Sequence, residues 1–480
     1  MDHTICLFND AFPPVIDGVA NAVVNYGQEI TALGGQALVV TPDVPGADDS
    51  GFSFPVLRYP SVDTRKQLGY VSGLPFSPEL AGKLQTHKAE LLHSHCPMIS
   101  TYLARSFRDL INVPLVLTYH TKYDIDIARA LRSHALQEGV LHLLVENISA
   151  CDEVWVVSRG AGENLRSIGY EGEYTVMHNG VDFPKGRVSD AEISAVTGSY
   201  DLPAGLPVFI FVGRLMWYKG IRIILDALAA LQAEGQSFRM VFVGGGGDEA
   251  EIRAQTEALG LAQVCIFTGP ISDRQQLRAW YCRADLFLFP STFDTNGLVV
   301  REAAACSLPS AMIAGSCAAE DVTDGRNGFL IEENAASLAA CIRRLLDTPE
   351  QLRTVGRCAA EELYLSWADA VKIACDRYSL VIDNYKAGRY AYRRGFAEEF
   401  LRSQGNLMDT LWELDCFNNS IAQRISTERK ELREDLRRLQ ADLQQHNATL
   451  HAGAQQHFQQ QRREIRQQLD QFWNRLDRYL

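Results

Sequence analysis

The chain has 480 residues, 46% apolar and 22% charged, the make-up of an ordinary globular protein too long for one core. Its formal net charge of −13 excludes the basic footprint that nonspecific nucleic-acid binding needs. The opening MDHTICLFND carries no signal-peptide pattern, no run of about 18 apolar residues occurs, and the 11 cysteines form no C-x-x-C pair, so a cytoplasmic chain with reduced thiols and no zinc site is expected.

Short apolar runs alternate with helical patterns from the start. Residues 4–9 (TICLFN), 36–42, 90–95, 114–120, 153–158 and 174–179 read as buried strands, with amphipathic stretches at 19–33, 98–110 and 134–150 between them. Such alternation predicts a parallel sheet covered by helices on both faces. Residues 180–206 carry turn residues and no period, and read as a connector. The alternation restarts at 207–213, 239–245, 264–269, 285–290, 309–315 and 328–333, and two helices at 349–364 and 367–386 are expected to close this second unit. The predicted fold class is α/β, with two doubly wound, Rossmann-like domains facing a cleft. They span 1–182 and 207–366, with a linker at 183–206, a closing helix at 367–386 and a helical extension at 387–480. Ligands of such sheets sit beyond the carboxyl ends of the strands.

The extension lacks strand patterns. Leu432, Leu436, Leu439 and Leu443 alternate spacings of four and three, a heptad seam that Gly453 interrupts and Phe458, Ile465, Leu469, Phe472 and Leu476 continue. The seam predicts self-association as a homodimer. Residues 421–480 hold eleven Lys and Arg against eight Asp and Glu, and the terminal FWNRLDRYL suits a headgroup boundary, so peripheral contact with the inner membrane face is also expected.

Chemistry concentrates at two strand ends. In FVGRLMWYKG (211–220), Arg214 and Lys219 follow an apolar strand and precede the helix IRIILDALAAL. Helix N-termini there carry partial positive charge and free N–H groups. Two added cations make a site for a diphosphate, each contact contributing on the order of 4 kcal/mol at about 4 Å before desolvation. In FPSTFDTNGLVVREAAA (289–305), Asp294 and Asn296 lie in a turn, Gly297 permits close approach, a helix starts near Leu298, and Glu302 sits one turn in. Carboxylates flanking a phosphate accept hydrogen bonds from hydroxyls, so the ligand reads as sugar, diphosphate, ribose. Taken singly, Asp294 reads as an N-cap and Glu302 as a solvated helix residue; with Arg214 and Lys219 the ligand reading prevails.

Three further signals read as bland. The triplet DID at 124–126 matches a metal-binding D-x-D, a pattern common by chance. GGGG at 244–247 lacks the Lys-Ser/Thr of a phosphate loop and reads as a packing turn. His93 and His95 lack further ligands for a metal and read as cleft-lining or core residues.

GRLMWYKG and DTNGLVVRE resemble the signature segments of the retaining glycosyltransferases of family 4, which have the GT-B fold. The resemblance runs from residue 4 to about 385 and takes in FPPVIDGVANAVVNYG, HSHCPMISTYLARS, TYHTKY, VVSRGAGENLRSIG, MHNGVD and VTDGRNGFLIEEN, in the family's order. It implies transfer of a hexose from a UDP- or GDP-sugar to a lipid such as diacylglycerol, or to a glycan, with retention and with no cofactor or metal. It implies that Arg214 and Lys219 bind the donor diphosphate, with Gly18 letting the backbone approach. His120 of TYHT and Asp294 would hold the donor sugar with Asn296, Gly297 and Leu298, and Glu302 would hold the ribose. His120, Arg214, Lys219 and Asp294 form the implied catalytic set. The chain departs from the family in having Asp294 for the usual Glu, Asn296 where Phe is common, and Asp17–Gly18 for paired glycines; the first two look like lipid-directed members. Competing readings are a nucleotide-sugar epimerase or hydrolase on the same architecture and a non-catalytic coiled-coil scaffold. Arg214, Lys219 and Glu302 speak against the scaffold.

Overall fold

A computed structural model describes residues 3–15, 17–65, 71–131, 133–390, 396–450, 465–468 and 471. The chain divides into two compact units, Met1–Gly405 and Asn406–Leu480.

The first unit contains two parallel sheets. The first comprises β1 (Thr4–Phe8), β2 (Gln36–Pro42), β3 (Val56–Tyr59), β6 (Leu91–Ser94), β7 (Leu115–Tyr119), β8 (Glu153–Val156) and β9 (Thr175–Val176), in the order β3-β2-β1-β6-β7-β8-β9. A small antiparallel pair, β4 (Ser61–Val62) and β5 (Ser72–Gly73), lies between β3 and β6 in the chain. The second sheet comprises β10 (Val208–Val212), β11 (Arg239–Val243), β12 (Cys265–Gly269), β13 (Leu286–Phe289), β14 (Ser310–Ile313) and β15 (Phe329–Ile331), in the order β12-β11-β10-β13-β14-β15. The central strands are continuous apolar runs because helices cover both faces; all five residues of β7 and of β10 are buried. Strand order reverses between β1 and β6 and between β10 and β13, which places the loops after those strands at the two switch points where ligands of such sheets bind.

Each expected strand is present, shortened by a few residues at most. β3 was not expected. It is an edge strand, VLRY, whose largely buried Arg58 pairs with Asp49 at 2.7 Å and donates to the carbonyls of Pro13 and Pro42, so it shows no apolar run. The stretch 180–206 is more than a connector. Residues Asp190–Thr197 form a helix started by a capping box between Ser189 and Glu192, with Ile193 buried against the second sheet's core. Eight residues with two buried positions leave no visible period.

The helix Trp367–Lys386 does not close the second sheet. Its Trp367, Val371, Tyr378 and Ile382 pack with Ile5, Leu7, Tyr26 and Trp155, so it completes the core of the first lobe. The next helix, Phe396–Leu450, is 55 residues long. Its start is fixed to the body: Glu398 accepts from Arg105 at 2.6 Å and lies 3.6 Å from Arg108, and Arg402 donates to Asp109 at 2.9 Å. The compact body therefore runs to Gly405, past the boundary drawn at 387.

The second unit holds the rest of this helix and a helical stretch at 465–468. Leu407, Leu411, Leu414, Phe417 and Ile421 are exposed, and Leu432, Leu436 and Leu439 are half-buried. The side chain of Leu443, and Gly453, Phe458, Leu469, Phe472 and Leu476, lie outside the described residues. Among the described residues no helix is long and apolar enough to cross a membrane.

Candidate active site

Two loops of the second sheet meet at its switch point. After β10 the chain passes Arg214, which is exposed and has no side-chain partner among the described residues, and tightens into a 3₁₀ turn at Trp217–Lys219. Gly220 follows at φ 78°, where a Cβ would stand 1.9 Å from the carbonyl oxygen of Pro290. Only glycine lets the β10 and β13 loops approach this closely. The approach sets the buried Lys219 Nζ to donate to Asp294 Oδ1 at 2.5 Å, while Ser291 donates to the other carboxylate oxygen at 2.6 Å.

Gly297, at φ 57°, starts the helix Leu298–Ala305, and a Cβ there would lie 2.7 Å from that of Ala318. Among the described residues no side chain caps this helix, so Asp294 is not an N-cap and the first N–H groups are open to an anion. The side-chain Nδ2 and Oδ1 of Asn296 are buried with no hydrogen-bond partner among the described residues. Glu302 is not a solvated helix residue either: it is buried, with Arg274 donating to one oxygen at 2.6 Å and Tyr281 to the other at 3.0 Å. Burial pushes its carboxyl above the usual range, against the pull of Arg274. The tetraglycine packs backbone to backbone on residues 213–215, which shapes the Arg214 loop from below.

The first lobe contributes His120, just past β7. It is buried, and its Nε2 lies 3.0 Å from Nδ1 of His95, the ring centroids 5.2 Å apart and the ring planes 27° apart. Burial pulls the His120 pKa down to about 3, so the ring is neutral. His93 is a core residue bonded to Tyr378 at 2.6 Å and Thr118 at 2.7 Å. The lobes join at the loop after β13: Thr295 donates to the His120 carbonyl at 2.8 Å, and Ser158 donates to the Thr295 carbonyl at 2.5 Å. This stitching brings His120 beside the loop of Asp294, Asn296 and Gly297.

Gly18 stands apart. It begins the helix Gly18–Ala32, whose N-cap Asp17 accepts from Val19 N at 2.6 Å. A Cβ at Gly18 would meet nothing within 4 Å, and among the described residues no contact joins it to Arg214 or Lys219. Asp124 of the DID triplet accepts from Asn164 at 3.0 Å on the helix Tyr123–Ala130, and the side chain of Asp126 lies outside the described residues. Among the described residues no group of three or more His, Cys, Asp and Glu is arranged to hold a metal ion.

Several supporting residues have no local signal. Arg274 and Tyr281 reach Glu302 across 28 and 21 positions, and His95 reaches His120 across 25. Glu320 of the second lobe accepts from the backbone N–H of Arg159 at 2.6 Å and from that of Gly160, at the start of the first-lobe helix Arg159–Ser167.

Residues 196–362 match the family model described as glycosyl transferases group 1, and residues 16–184 match that of glycosyltransferase family 4. The D-inositol 3-phosphate glycosyltransferase 2 of Catenulispora acidiphila is 30% identical over 318 residues, 63% of this chain and 73% of that protein. The chain is a family 4, group 1 glycosyltransferase. This glycosyltransferase is also 24% identical to the alpha-monoglucosyldiacylglycerol synthase of Acholeplasma laidlawii, over 74% of this chain and 91% of that one. The sucrose-phosphate synthase of Thermosynechococcus elongatus shares the glycosyltransferase's fold with a TM-score of 0.64 at 22% identity, over 79% of this chain and 99% of that one. Anabaena HepE in complex with UDP shares it with a TM-score of 0.62 at 21% identity, over 79% of this chain and 100% of that one.

Proposed function

We propose that this glycosyltransferase moves a hexose from a nucleotide-diphosphate sugar to a lipid acceptor of the diacylglycerol type, with retention and without a metal. The observation that carries the reading is the cluster at the β10/β13 switch point. It combines a cation with no side-chain partner among the described residues, Arg214, a buried cation, Lys219, a helix start at Leu298 that no described side chain caps, and two anchored carboxylates, Asp294 and Glu302, on either side. Arg214, the remaining donors of Lys219 and the helix start would meet the departing diphosphate, which is where charge develops. Asp294, held by Lys219 and Ser291, would take a hydroxyl of the sugar, with Gly297 and Leu298 lining it. His120 would face the same sugar from the other lobe. Glu302 keeps lone pairs free for ribose hydroxyls beyond those used by Arg274 and Tyr281. Gly18 would lie beside the diphosphate from the first lobe.

The lipid acceptor draws support from the Acholeplasma relative, named for a diacylglycerol product, and the UDP donor from the HepE complex. A homodimer through the exposed stripe of the second unit, and contact with an anionic membrane surface, belong to the same proposal. The test is transfer from UDP- and GDP-hexoses to diacylglycerol in mixed micelles with excess EDTA. An α-linked glycolipid is expected. Conversion of the donor to free hexose or an epimer, with no glycolipid, overturns the reading; activity lost in EDTA and restored by Mg²⁺ or Mn²⁺ overturns its metal-free part.

A further inference from the structure

We propose that His95 is a positioning residue that sets the tautomer of His120: it donates its Nδ1–H to Nε2 of His120 and so keeps the His120 proton on Nδ1, available to a hydroxyl of the bound sugar. The inference rests on the assignment of His120 to the donor sugar. Its starting point is the 3.0 Å contact between the two ring nitrogens. Two neutral imidazoles in contact through nitrogen share one proton, so one ring is the donor and the other the acceptor. Burial lowers the pKa of both histidines, which keeps both neutral.

The far side of His95 decides the direction. Its Nε2 is buried and has no hydrogen-bond partner among the described residues. The rings of Tyr26 and His93 pack against the His95 ring, their centroids 5.1 and 4.0 Å from its own. His93 offers it nothing, because both nitrogens of His93 are engaged by Tyr378 and Thr118. If His120 were the donor, His95 would carry its own proton on Nε2, a buried N–H with nothing to receive it. Orphaned buried N–H groups are the rarer defect; a bare ring lone pair in an aromatic pocket is the lesser one. His95 therefore holds its proton on Nδ1 and gives it to His120. The consequence passes to the cleft. With Nε2 accepting, neutral His120 must carry its proton on Nδ1, the ring nitrogen with no partner among the described residues. A sugar hydroxyl that accepts this bond keeps its own O–H free for another acceptor.

The test uses full-length protein labelled with ¹⁵N at histidine. Long-range ring correlations report which nitrogen carries the proton, and the His120 signal is assigned by its loss in His120→Gln. A proton on Nδ1 of His120 is expected; a proton on Nε2 overturns the proposal. His95→Asn puts an amide N–H near the Nδ1 position and should hold kcat within about threefold, whereas His95→Leu should lower it about tenfold, the scale of one positioned hydrogen bond. Affinity for free UDP should not change. Equal turnover in the Asn and Leu variants overturns the positioning role, and if the Leu variant fails to fold the wild-type spectrum decides. Full turnover in His120→Ala with the expected tautomer instead sinks the assignment of His120 to the sugar.

Discussion

Lys219 gives one of its three N–H donors to Asp294, while the exposed Arg214 has no side-chain partner among the described residues. Both Arg214→Ala and Lys219→Ala should lower kcat/KM by roughly 10²-fold or more, since each removes a donor aimed at leaving-group charge. Their stabilities should part. Lys219→Ala strands the carboxylate of Asp294 and should lower the thermal midpoint, and Arg214→Ala should leave it unchanged; matching shifts in the two would count against the pairing. Glu302→Gln should weaken binding of free nucleoside diphosphate in calorimetry, and Arg274→Ala should reproduce much of that loss because it frees Glu302 to move. His120 also makes a pH prediction. Its native pKa is about 3 and its ordinary value 6.5, so between those limits the unfolded chain binds the extra proton. Stability is full above about pH 6.5 and falls as pH drops toward 3. His93 and His95 act in the same direction. Urea midpoints from pH 7 to 5 should fall less steeply in His120→Gln than in the native chain. Arg214, Lys219, Asp294 and Glu302 were legible because strand, turn and helix start are consecutive in the chain. His95, Arg274 and Tyr281 were not, because their contacts exist only once neighbouring strands and helices are in place.

At the scale of elements, the loops after β10 and β13 depend on each other. Gly220→Ala would drive a Cβ into Pro290, so it should cost more than about 1 kcal/mol and disperse the Lys219–Asp294 pair; thermal scanning and donor titration check both effects. The start of the long helix depends on Glu398, buried between Arg105 and Arg108. Glu398→Ala leaves two guanidinium groups facing a vacated carboxylate site and should cost about 3–5 kcal/mol. Faster tryptic cleavage of the Phe396–Gly405 turns is the readout, and an unchanged digestion rate would mean the docking does not rest on that ion pair. Strands with apolar runs were visible in the sequence to within a few residues. β3 was hidden by the charged Arg58 in its short run, and the helix Asp190–Thr197 by its brevity. The stripe on Trp367–Lys386 was visible as a stripe, yet a stripe names no partner, so its seat on the first lobe could not be read.

For the whole molecule, every proposed donor contact lies before residue 303. Deleting 406–480, the second unit, should therefore leave nucleotide binding unchanged. Five large apolar side chains between Leu407 and Ile421 are exposed, and burying such a stripe is the usual source of long-helix stability. Light scattering should show a dimer at full length and a monomer after deletion; a full-length monomer removes the coiled-coil reading, and liposome co-sedimentation then tests the membrane one. The helix Trp367–Lys386 has an effect in time as well as in space. The sheet of the first lobe is made first, but part of the wall behind it, including the hydroxyl that holds His93, is translated only after the second sheet. At ordinary elongation rates, roughly 10–40 s separate residue 182 from Tyr378. Through that interval the nascent lobe lacks part of its apolar wall. A fragment ending at residue 182 should accordingly aggregate alone and be recovered by adding the 367–386 segment in trans.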